Sequence, residues 1–271
     1  MKRKNKVPIR RWAFAFCLTR IPEYEHYAHA SNDRSVGKTG SGVIAAIFTN
    51  VREFSMPSGH MKETIKSVAI DLFFKKGYFA TSISDLARGS GIQKASIYYH
   101  YASKEELLFH ILENTMDDLT ACLNTNLENV AGVEERMRAA VRSHVRFHLE
   151  RQKENFIANS ELRGLTAEHY QDIVRKRDRY ECVFQELIRK GRDAGVFAPG
   201  DVKILSYAIL TLCTAGATWF KPNGRLTIDK IALIYENFII NGLKMGMNNP
   251  EISNLKNGRT LSLEDKKYNV K

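Results

Sequence analysis

The sequence has few of the features that stabilise small secreted domains or build metal centres. Its 271 residues include only four cysteines, which are far apart and form no Cys-x-x-Cys pair. Such scattered cysteines favour a reducing, cytoplasmic compartment over a disulfide framework. Six prolines and 17 glycines leave room for long helices. The sequence also lacks a nucleophile elbow, a complete phosphate loop and a His-Glu-x-x-His motif, so we predict a protein that is not an enzyme.

Long hydrophobic runs are scarce as well. The basic start of the chain is followed by an apolar run, 12–18, that is short for a signal peptide and lacks a small-residue cleavage site. A second apolar segment, 204–220, lies at the lower length limit of a membrane span and contains a serine and three threonines. We therefore predict no membrane partner and interpret the second segment as a buried interface helix.

Positive charge is unevenly distributed along the chain. Net charge is +11, and residues 1–60 carry ten Lys/Arg against four Asp/Glu, whereas residues 61–113 carry seven against six. A basic excess permits a polyanionic partner. Because the most regularly patterned segment is nearly neutral, net charge alone does not establish that the protein binds nucleic acid.

Residues 1–60 and 247–271 have a different character from the segment between them. The first segment lacks a helical period, so we interpret it as a flexible basic extension or a misassigned start, and a chain beginning at Met56 is expected to fold. The last segment is a polar tail. Between them, apolar spacing predicts helices and no strands, with the later helices near 104–126, 133–153, 154–163, 166–194, 201–220 and 227–246.

Residues 61–108 have the pattern of two short helices braced by a preceding helix. Ser82 to Asp85 form a capping box that opens the first short helix, and Gly91 ends it. The second short helix begins near Lys94. A second capping box, Ser-Lys-Glu-Glu at 103–106, opens a long helix. This arrangement is typical of a helix-turn-helix domain.

Three side chains suit the packing of such a unit. Ala87 lets the two short helices approach, and Ile92 and Ile97 anchor the second one inward. The sequence GYFATSISDLARGSGIQKASIYYHYASKEELL, residues 77–108, resembles the signature of TetR-family transcriptional repressors. The resemblance implies an all-α fold, in which a helix-turn-helix DNA-binding domain (61–108) precedes a helical-bundle domain for ligand binding and dimerisation (109–246).

The resemblance also implies which residues contact double-stranded operator DNA. The positions that face bases in the family match Lys94, Ala95, Ser96 and Tyr99. The positions that bind phosphates match Ser82, Tyr98, His100 and Lys104. Hydroxyl, imidazole and ammonium groups suit phosphates and set register rather than sequence. The structural alternatives are a core aromatic for Tyr98, a helix-end residue for His100 and a solvated lysine for Lys104. Gln93 departs from the family pattern, where Ser or Thr usually caps the recognition helix.

The second half of the chain is similar to one branch of the family. ELRGL (161–165), RKRDRYECVFQELIRKGRDAGVF (175–197) and TWFKPNGRL (218–226) resemble regulators of fatty-acid, sterol or aromatic-acid degradation that respond to acyl-CoA thioesters. Such an effector needs an apolar tunnel and cations for its phosphates. The tunnel candidates are Met116, Leu119, Phe147, Phe156, Tyr180, Phe184 and Trp219. The phosphate candidates are Arg163, Lys221 and Arg225. Each also suits ordinary core or solvated surface.

The last two helices are expected to form a four-helix homodimer interface, with a monomeric core as the alternative. Helix 201–220 is apolar on nearly all sides. Helix 227–246 carries one apolar stripe, formed by Ile228, Ile231, Tyr235 and Phe238. His144 and His148 have the spacing of a metal-binding pair, but no third ligand is evident on that face. We therefore predict core or pocket histidines, no metal and no cofactor.

These patterns together predict a cytoplasmic repressor that a small-molecule effector releases from its operator, with an acyl-CoA as the candidate effector. One alternative is a TetR-type regulator of drug efflux with an unrelated hydrophobic ligand. The other is a non-catalytic helical adaptor that binds only protein. The adaptor hypothesis leaves the arrangement of residues from Ser82 to Lys104 unexplained.

Overall fold

The computed structural model describes residues 58–245, and within this range the chain is helical, as predicted. The helices are α1 (Ser58–Lys76), α2 (Ile83–Gly89), α3 (Lys94–His100), α4 (Lys104–Leu127), α5 (Val133–Glu150), α6 (Gln152–Ser160), α7 (Ala167–Asp193), α8 (Val202–Trp219) and α9 (Ile228–Lys244). A 3-10 turn, Leu162–Gly164, lies between α6 and α7. The predicted basic extension, the proposed start at Met56 and the polar tail lie outside the described residues.

Short-range hydrogen bonds set where the helices of the N-terminal half begin. The Ser82 hydroxyl accepts from the backbone N–H of Asp85, and the Asp85 carboxylate accepts from the backbone N–H of Ser82, both at 3.1 Å. The Ser82 hydroxyl also donates to the Asp85 carboxylate at 2.8 Å, and this bond, together with the bond from the Ser82 backbone, lowers the pKa of Asp85. Ser103 likewise accepts from the N–H of Glu106, but Glu106 accepts from the N–H of Ala102 instead of Ser103. The first predicted capping box is confirmed, and the second is only half formed.

The boundary between α5 and α6 differs from the prediction. The helix ends at Glu150 instead of residue 153, because Arg151 has non-helical φ and ψ of −116° and 52°. No glycine or proline marks this break in the sequence. Contacts with other parts of the chain hold it: the Arg151 guanidinium donates to the carboxylate of Asp118 on α4 at 2.6 Å, and Gln152 donates to the carbonyls of Ala217 and Phe220.

The main core lies among α4, α5, α7, α8 and α9. Helix α5 is central, since it packs against α4, α7, α8 and α9. The largest fully buried side chains of this core include Leu123 of α4, Met137 of α5 and Phe184 of α7. Five helices therefore share one hydrophobic core around α5, which places the polar residues of its inner face far from water.

Helices α8 and α9 leave apolar side chains uncovered on the outside of this core. Helix α8 has the length and hydropathy of a membrane span, but a third of it is buried and it packs against α5, α6 and α7. The predicted α9 stripe is not uniformly placed, because Ile231 is 4% exposed and Phe238 is 66% exposed. Residues seven apart share a helix face, so the neighbours that cover Ile231 do not extend over Phe238. The uncovered apolar residues are Ile204, Leu212 and Trp219 on α8 and Leu233, Ile234 and Phe238 on α9.

A buried carboxylate fastens α9 to α5. Glu236 is 3% exposed, and its two oxygens lie 3.2 Å from the guanidinium of Arg138 and 2.7 Å from that of Arg142. Glu134 on α5 continues the ion-pair network, since it pairs with Arg138 on the same helix and with Lys244 on α9. The network fixes the helix that carries half of the uncovered apolar face.

We expect Glu236→Ala to destabilise the protein, because it leaves two arginines without their shared carboxylate. Removing one partner of a buried pair costs roughly 3–5 kcal/mol, and the half-exposed Arg142 brings the expected cost to about 2–3 kcal/mol. Urea denaturation measures it. Glu135→Ala is the matched control, since Glu135 also approaches Arg138 but is exposed. Equal effects of the two substitutions would contradict the role of Glu236.

Candidate nucleic-acid interface

The turn between α2 and α3 has the geometry of a helix-turn-helix. Gly91 has a φ of +67°, which favours glycine, and the N–H of Ile92 donates to the carbonyl of Ala87 at 3.0 Å. Ala87 and Ile97 are buried against each other's helices as predicted, whereas Ile92 is only half-buried. Because Ile97 is the buried residue of α3, the other side chains of this helix are available to a partner.

The predicted DNA-contacting residues lie at the surface of this unit. Five of them are exposed: Ser82, Lys94, Ala95, Tyr98 and Tyr99. Three are half-buried: Ser96, His100 and Lys104. Exposure of 53% for Tyr98 and 81% for Tyr99 excludes a core role for either ring. His100 packs edge-to-face on Tyr99, with ring centres 5.1 Å apart. Two adjacent exposed tyrosines indicate a surface that binds a partner.

Gln93 begins α3 without acting as a side-chain cap. It occupies the N-cap position in an extended conformation, but its amide makes no capping hydrogen bond, and the side chain is exposed. The N–H groups at the start of α3 therefore lack the cap that Ser or Thr provides elsewhere. An exposed amide at this position is available to the same partner as Lys94.

Lys104 has a structural role that the sequence did not predict. Its ammonium donates to the carbonyls of Tyr78 at 2.9 Å and Thr81 at 2.8 Å, and it lies 4.2 Å from the centre of the Tyr78 ring. Desolvation lowers the pKa of Lys104, and the charge of Glu161 acts in the opposite direction. The alternative of a solvated lysine is therefore wrong. Phosphate binding by Lys104 stays a prediction, since one of its three N–H groups makes neither of these bonds.

Tyr78 also contacts the connector between α6 and α7, which we define as residues 161–166. A Cβ atom on Gly164 would lie 2.6 Å from the Tyr78 ring and 2.9 Å from Leu108. Only glycine permits this approach, because real Cβ contacts are longer. Glu161, at the start of the connector, is 7% exposed and raises the pKa of Tyr78, although burial has the larger effect. The connector thus packs directly on the DNA-binding unit.

A second contact joins the start of α4 to the start of α7. The carboxylate of Glu105 accepts from the backbone N–H of Thr166 at 2.8 Å and lies 2.8 Å from Nδ1 of His169. The His169 ring stacks on Phe109, with centres 3.9 Å apart and planes inclined by 8°. In the sequence, Glu105 is recognisable only as part of a capping motif. Its contact with α7 could not be predicted from spacing within one helix.

The third contact is between α1 and α6. The Phe74 and Phe156 rings pack edge-to-face with centres 5.3 Å apart, and Lys153 pairs with Asp71. Phe156, a predicted tunnel residue, therefore packs on the DNA-binding unit. An open cleft of about 460 Å³ lies beside this contact, but polar and charged side chains line it instead of the predicted tunnel residues. Its lining includes Glu63, Lys66, Asp71, Glu150, Gln152 and Lys153.

The remaining predicted ligand residues lie in three different parts of the structure. Five apolar residues belong to the main core: Met116, Leu119, Phe147, Tyr180 and Phe184. Trp219 is 53% exposed on the uncovered face of α8, where it stacks near Tyr235. The predicted phosphate ligands are all exposed: Arg163, Lys221 and Arg225. The five core residues remain candidates for a binding cavity, and the assignments as a whole stay predictions.

The predicted histidine pair lies inside the core. His144 and His148 are both buried on α5, with ring centres 4.3 Å apart. Both nitrogens of His144 have oxygen neighbours, from Tyr180 at 2.8 Å and Thr214 at 3.0 Å. Over residues 58–245, no three His, Cys, Asp or Glu side chains converge in a way that suits a metal ion.

The exposed recognition surface on α3 defines a helix-turn-helix DNA-binding protein, and comparisons with known proteins identify its family. The model of bacterial regulatory proteins of the tetR family matches residues 65–111, and the tetracyclin repressor-like C-terminal domain matches residues 131–243. The chain belongs to the TetR family. Members of this family are DNA-binding transcriptional regulators, not enzymes.

Several relatives are similar over most of their length. The chain is 32% identical to the TetR-family regulator PfmR of Thermus thermophilus, covering 66% of this chain and 98% of that one, with a TM-score of 0.62. It is 28% identical to AibR, solved in complex with isovaleryl coenzyme A and operator DNA, covering 68% and 98%, with a TM-score of 0.61. It is 24% identical to the repressor KstR2 of Mycobacterium tuberculosis, covering 65% and 89%.

We expect Tyr98→Phe and Tyr99→Phe to have different effects on DNA binding. Loss of a hydrogen bond to a charged phosphate at Tyr98 should weaken binding to operator and unrelated DNA by the same factor, about tenfold. Loss of a base contact at Tyr99 should weaken operator binding selectively. Fluorescence anisotropy with both duplexes measures the two affinities. An operator-selective effect of Tyr98→Phe would show that the phosphate assignment is wrong.

We expect Gly164→Ala to weaken operator binding, although Gly164 lies outside the recognition surface. The added methyl group would overlap the Tyr78 ring and push the connector away from the DNA-binding unit. Anisotropy measures the affinity, and circular dichroism checks that the helices persist. Tyr78→Leu, a smaller side chain, should make Gly164→Ala less costly in a double-mutant cycle. Strict additivity of the two substitutions would contradict the contact.

Proposed function

We propose that the protein represses transcription in the cytoplasm by binding double-stranded operator DNA as a homodimer, and that a CoA thioester releases it. The observation that carries DNA binding is the exposed surface of α3, where Lys94, Tyr98 and Tyr99 project beside the capped start of α2. The DNA-binding unit itself is nearly neutral. Two units acting together supply the affinity that one lacks, because linked binding sites raise the effective concentration of each other.

The uncovered face of α8 and α9 supports the dimer. Ile204, Leu212 and Trp219 on one helix and Leu233, Ile234 and Phe238 on the next remain exposed at 38–66%. Apolar patches of this kind mark interfaces in soluble proteins. A two-fold axis through this face pairs α8 and α9 with their copies in a four-helix arrangement. Recognition helices related by such an axis bind half-sites one turn apart, roughly 34–36 Å.

Two observations support a CoA thioester as effector. AibR, whose chain this protein matches over 98% of its length, was solved with isovaleryl coenzyme A and operator DNA together. In this chain the core residues Phe147, Tyr180 and Phe184 provide apolar surface of the kind that an acyl chain requires. The effector must bind the released state better than the DNA-bound state, since equal affinity for both shifts nothing.

The contacts of the DNA-binding unit provide a route from effector to DNA. Helix α4 begins at Lys104, whose ammonium donates to the carbonyl of Tyr78. The helix then runs into the core as far as Leu127. The connector presses Gly164 on the same tyrosine. A ligand that displaces α4 or the connector therefore changes the position of α2 and α3. In a dimer, this changes the separation of the two recognition helices.

The test is a titration of the complex between the full chain and its own promoter DNA, followed by anisotropy. Isovaleryl-, octanoyl- and benzoyl-CoA form one arm, their free acids a second, and drug-like hydrophobic cations a third. Release by a thioester supports the proposal, and the same factor should appear as weaker thioester binding in the presence of operator. A protein carrying Tyr98→Ala serves as the control with impaired DNA binding.

The other outcomes separate the alternatives. Release by a drug-like cation alone would favour a regulator of efflux and exclude the thioester. Failure of the wild-type protein to bind any promoter fragment, with helices intact, would favour the protein-binding adaptor.

A further inference from the structure

A cluster of polar side chains lies where α5, α6, α7 and α8 meet inside the core. We call it the polar cluster, and it consists of His144, His148, Asn155, Arg177, Tyr180 and Thr214. His144 is fully engaged, with Nδ1 2.8 Å from the Tyr180 hydroxyl and Nε2 3.0 Å from the Thr214 hydroxyl. Asn155 extends the cluster by accepting from Asn159 at 3.0 Å. Four helices thus contribute polar groups to one place, where four of the six side chains are buried and Arg177 and Thr214 are half-buried.

His148 contains a polar atom without a partner. The residue is 8% exposed, and its Nδ1 has no hydrogen bond to any described residue. Desolvation lowers the pKa of His148 to about 4, a hydrogen bond with Asn155 opposes this, and the charge of Arg177 adds to it. The imidazole is therefore neutral at pH 7. A buried polar atom left unsatisfied costs roughly 1–3 kcal/mol, and such atoms call for an explanation.

Arg177 is the second unusual member. Its guanidinium donates to the backbone carbonyl of Ala158 at 2.6 Å, and it forms no ion pair with a carboxylate of the described residues. Desolvation lowers the pKa of Arg177. A guanidinium has five N–H donors, so one carbonyl leaves several of them for another acceptor. A half-buried cation without a carboxylate favours an oxygen ligand that carries negative charge or a strong dipole.

Aromatic side chains surround the two histidines. The Phe147 ring lies 5.8 Å from the His148 ring, and the Phe184 ring lies 5.9 Å from the His144 ring, measured between centres. Tyr180 lies 5.6 Å from His144. These three are among the residues that the sequence assigns to an acyl tunnel. The polar cluster therefore lies at the centre of the predicted apolar lining.

We propose that the polar cluster binds the head group of the effector, namely a carbonyl-type oxygen at the end of an apolar chain. His148 Nδ1 and the Arg177 guanidinium donate to this oxygen, and the chain packs against Phe147 and Phe184. The inference deepens the proposed function and rests on it. Both a thioester and a free carboxylate carry such an oxygen. A neutral histidine can hold its proton on either nitrogen, so a ligand oxygen selects the tautomer with the proton on Nδ1.

Occupation of this site has a direct consequence for the connector. Arg177 holds the carbonyl of Ala158, three residues before Glu161 and six before Gly164. A ligand oxygen that competes for the guanidinium loosens the end of α6. Because the connector follows immediately and packs Gly164 on Tyr78, its movement reaches the DNA-binding unit over a few residues of chain.

The experiment combines protein variants with matched ligands. Octanoyl-CoA is compared with S-octyl-CoA, a thioether without the carbonyl, and with octanoate. Calorimetry measures their binding to the full-length wild-type protein, His148→Phe and Arg177→Gln. We expect each variant to weaken octanoyl-CoA binding about tenfold, and to weaken S-octyl-CoA binding far less, because the lost hydrogen bond needs the carbonyl. Tighter binding of octanoate than of octanoyl-CoA would show that the polar cluster binds a free carboxylate and not a thioester carbonyl.

Controls separate a binding role from a structural one. His148→Phe removes the unpaired atom, so thermal unfolding and operator binding without ligand should stay close to wild type, whereas release by octanoyl-CoA should need more ligand. His110→Phe on α4, outside the polar cluster, should leave octanoyl-CoA binding unchanged. Equal binding of octanoyl-CoA by wild type and both cluster variants would overturn the site and leave the proposed function intact.

Absence of any binding by the wild type would also overturn the site. If octanoyl-CoA, octanoate and the shorter and aromatic members of the panel all fail to bind, the effector class is wrong as well. The protein would then still bind its promoter DNA. This outcome therefore differs from one in which the protein does not bind DNA at all.

Discussion

The position of the DNA-binding unit depends on the environment of one side chain, Tyr78. The ammonium of Lys104, at the start of α4, lies over its ring and holds its carbonyl, and Gly164 packs against its edge. Three segments far apart in sequence thus meet on one aromatic ring. Because a packed ring allows little adjustment, a displacement of α4 or of the connector must be transmitted to the turn before α2. The contact with α7 through Glu105 makes the same joint stiffer.

Features that depend on neighbouring residues were predictable from the sequence. The Ser82 capping box, the Gly91 turn and the inward positions of Ala87 and Ile97 follow from local geometry and from the helical period. Features that depend on distant partners were not. The break at Arg151 has no turn signal, since its cause is the contact of Arg151 with Asp118 and of Gln152 with the end of α8.

The candidate ligand site was likewise predictable only in part from the sequence. The predicted tunnel residues Phe147, Tyr180 and Phe184 lie together in the main core, and their contact with a ligand stays a prediction. The sequence-based prediction placed the cations at exposed ends of helices and overlooked Arg177, which stands in a run of charged residues that resembles a solvated surface. A signal was nevertheless present. Arg177 lies four residues after Ile173, three before Tyr180 and seven before Phe184, so it shares the face of α7 that carries the buried stripe and is itself half-buried there. A charge in such a stripe is unusual unless it is paired or binds a ligand.

The energetics of the core support a ligand-binding role for Arg177 and His148. At Glu236 the fold pairs a buried carboxylate with two arginines. At the polar cluster it leaves an imidazole nitrogen unbonded and a guanidinium without a carboxylate. Apolar side chains of similar size at these positions would cost less, so stability alone does not account for them. Local rules that fail at one place while holding around it usually mark a functional site. The polar cluster is such a place, because its unpaired imidazole nitrogen and its half-buried guanidinium both suit an oxygen-bearing ligand.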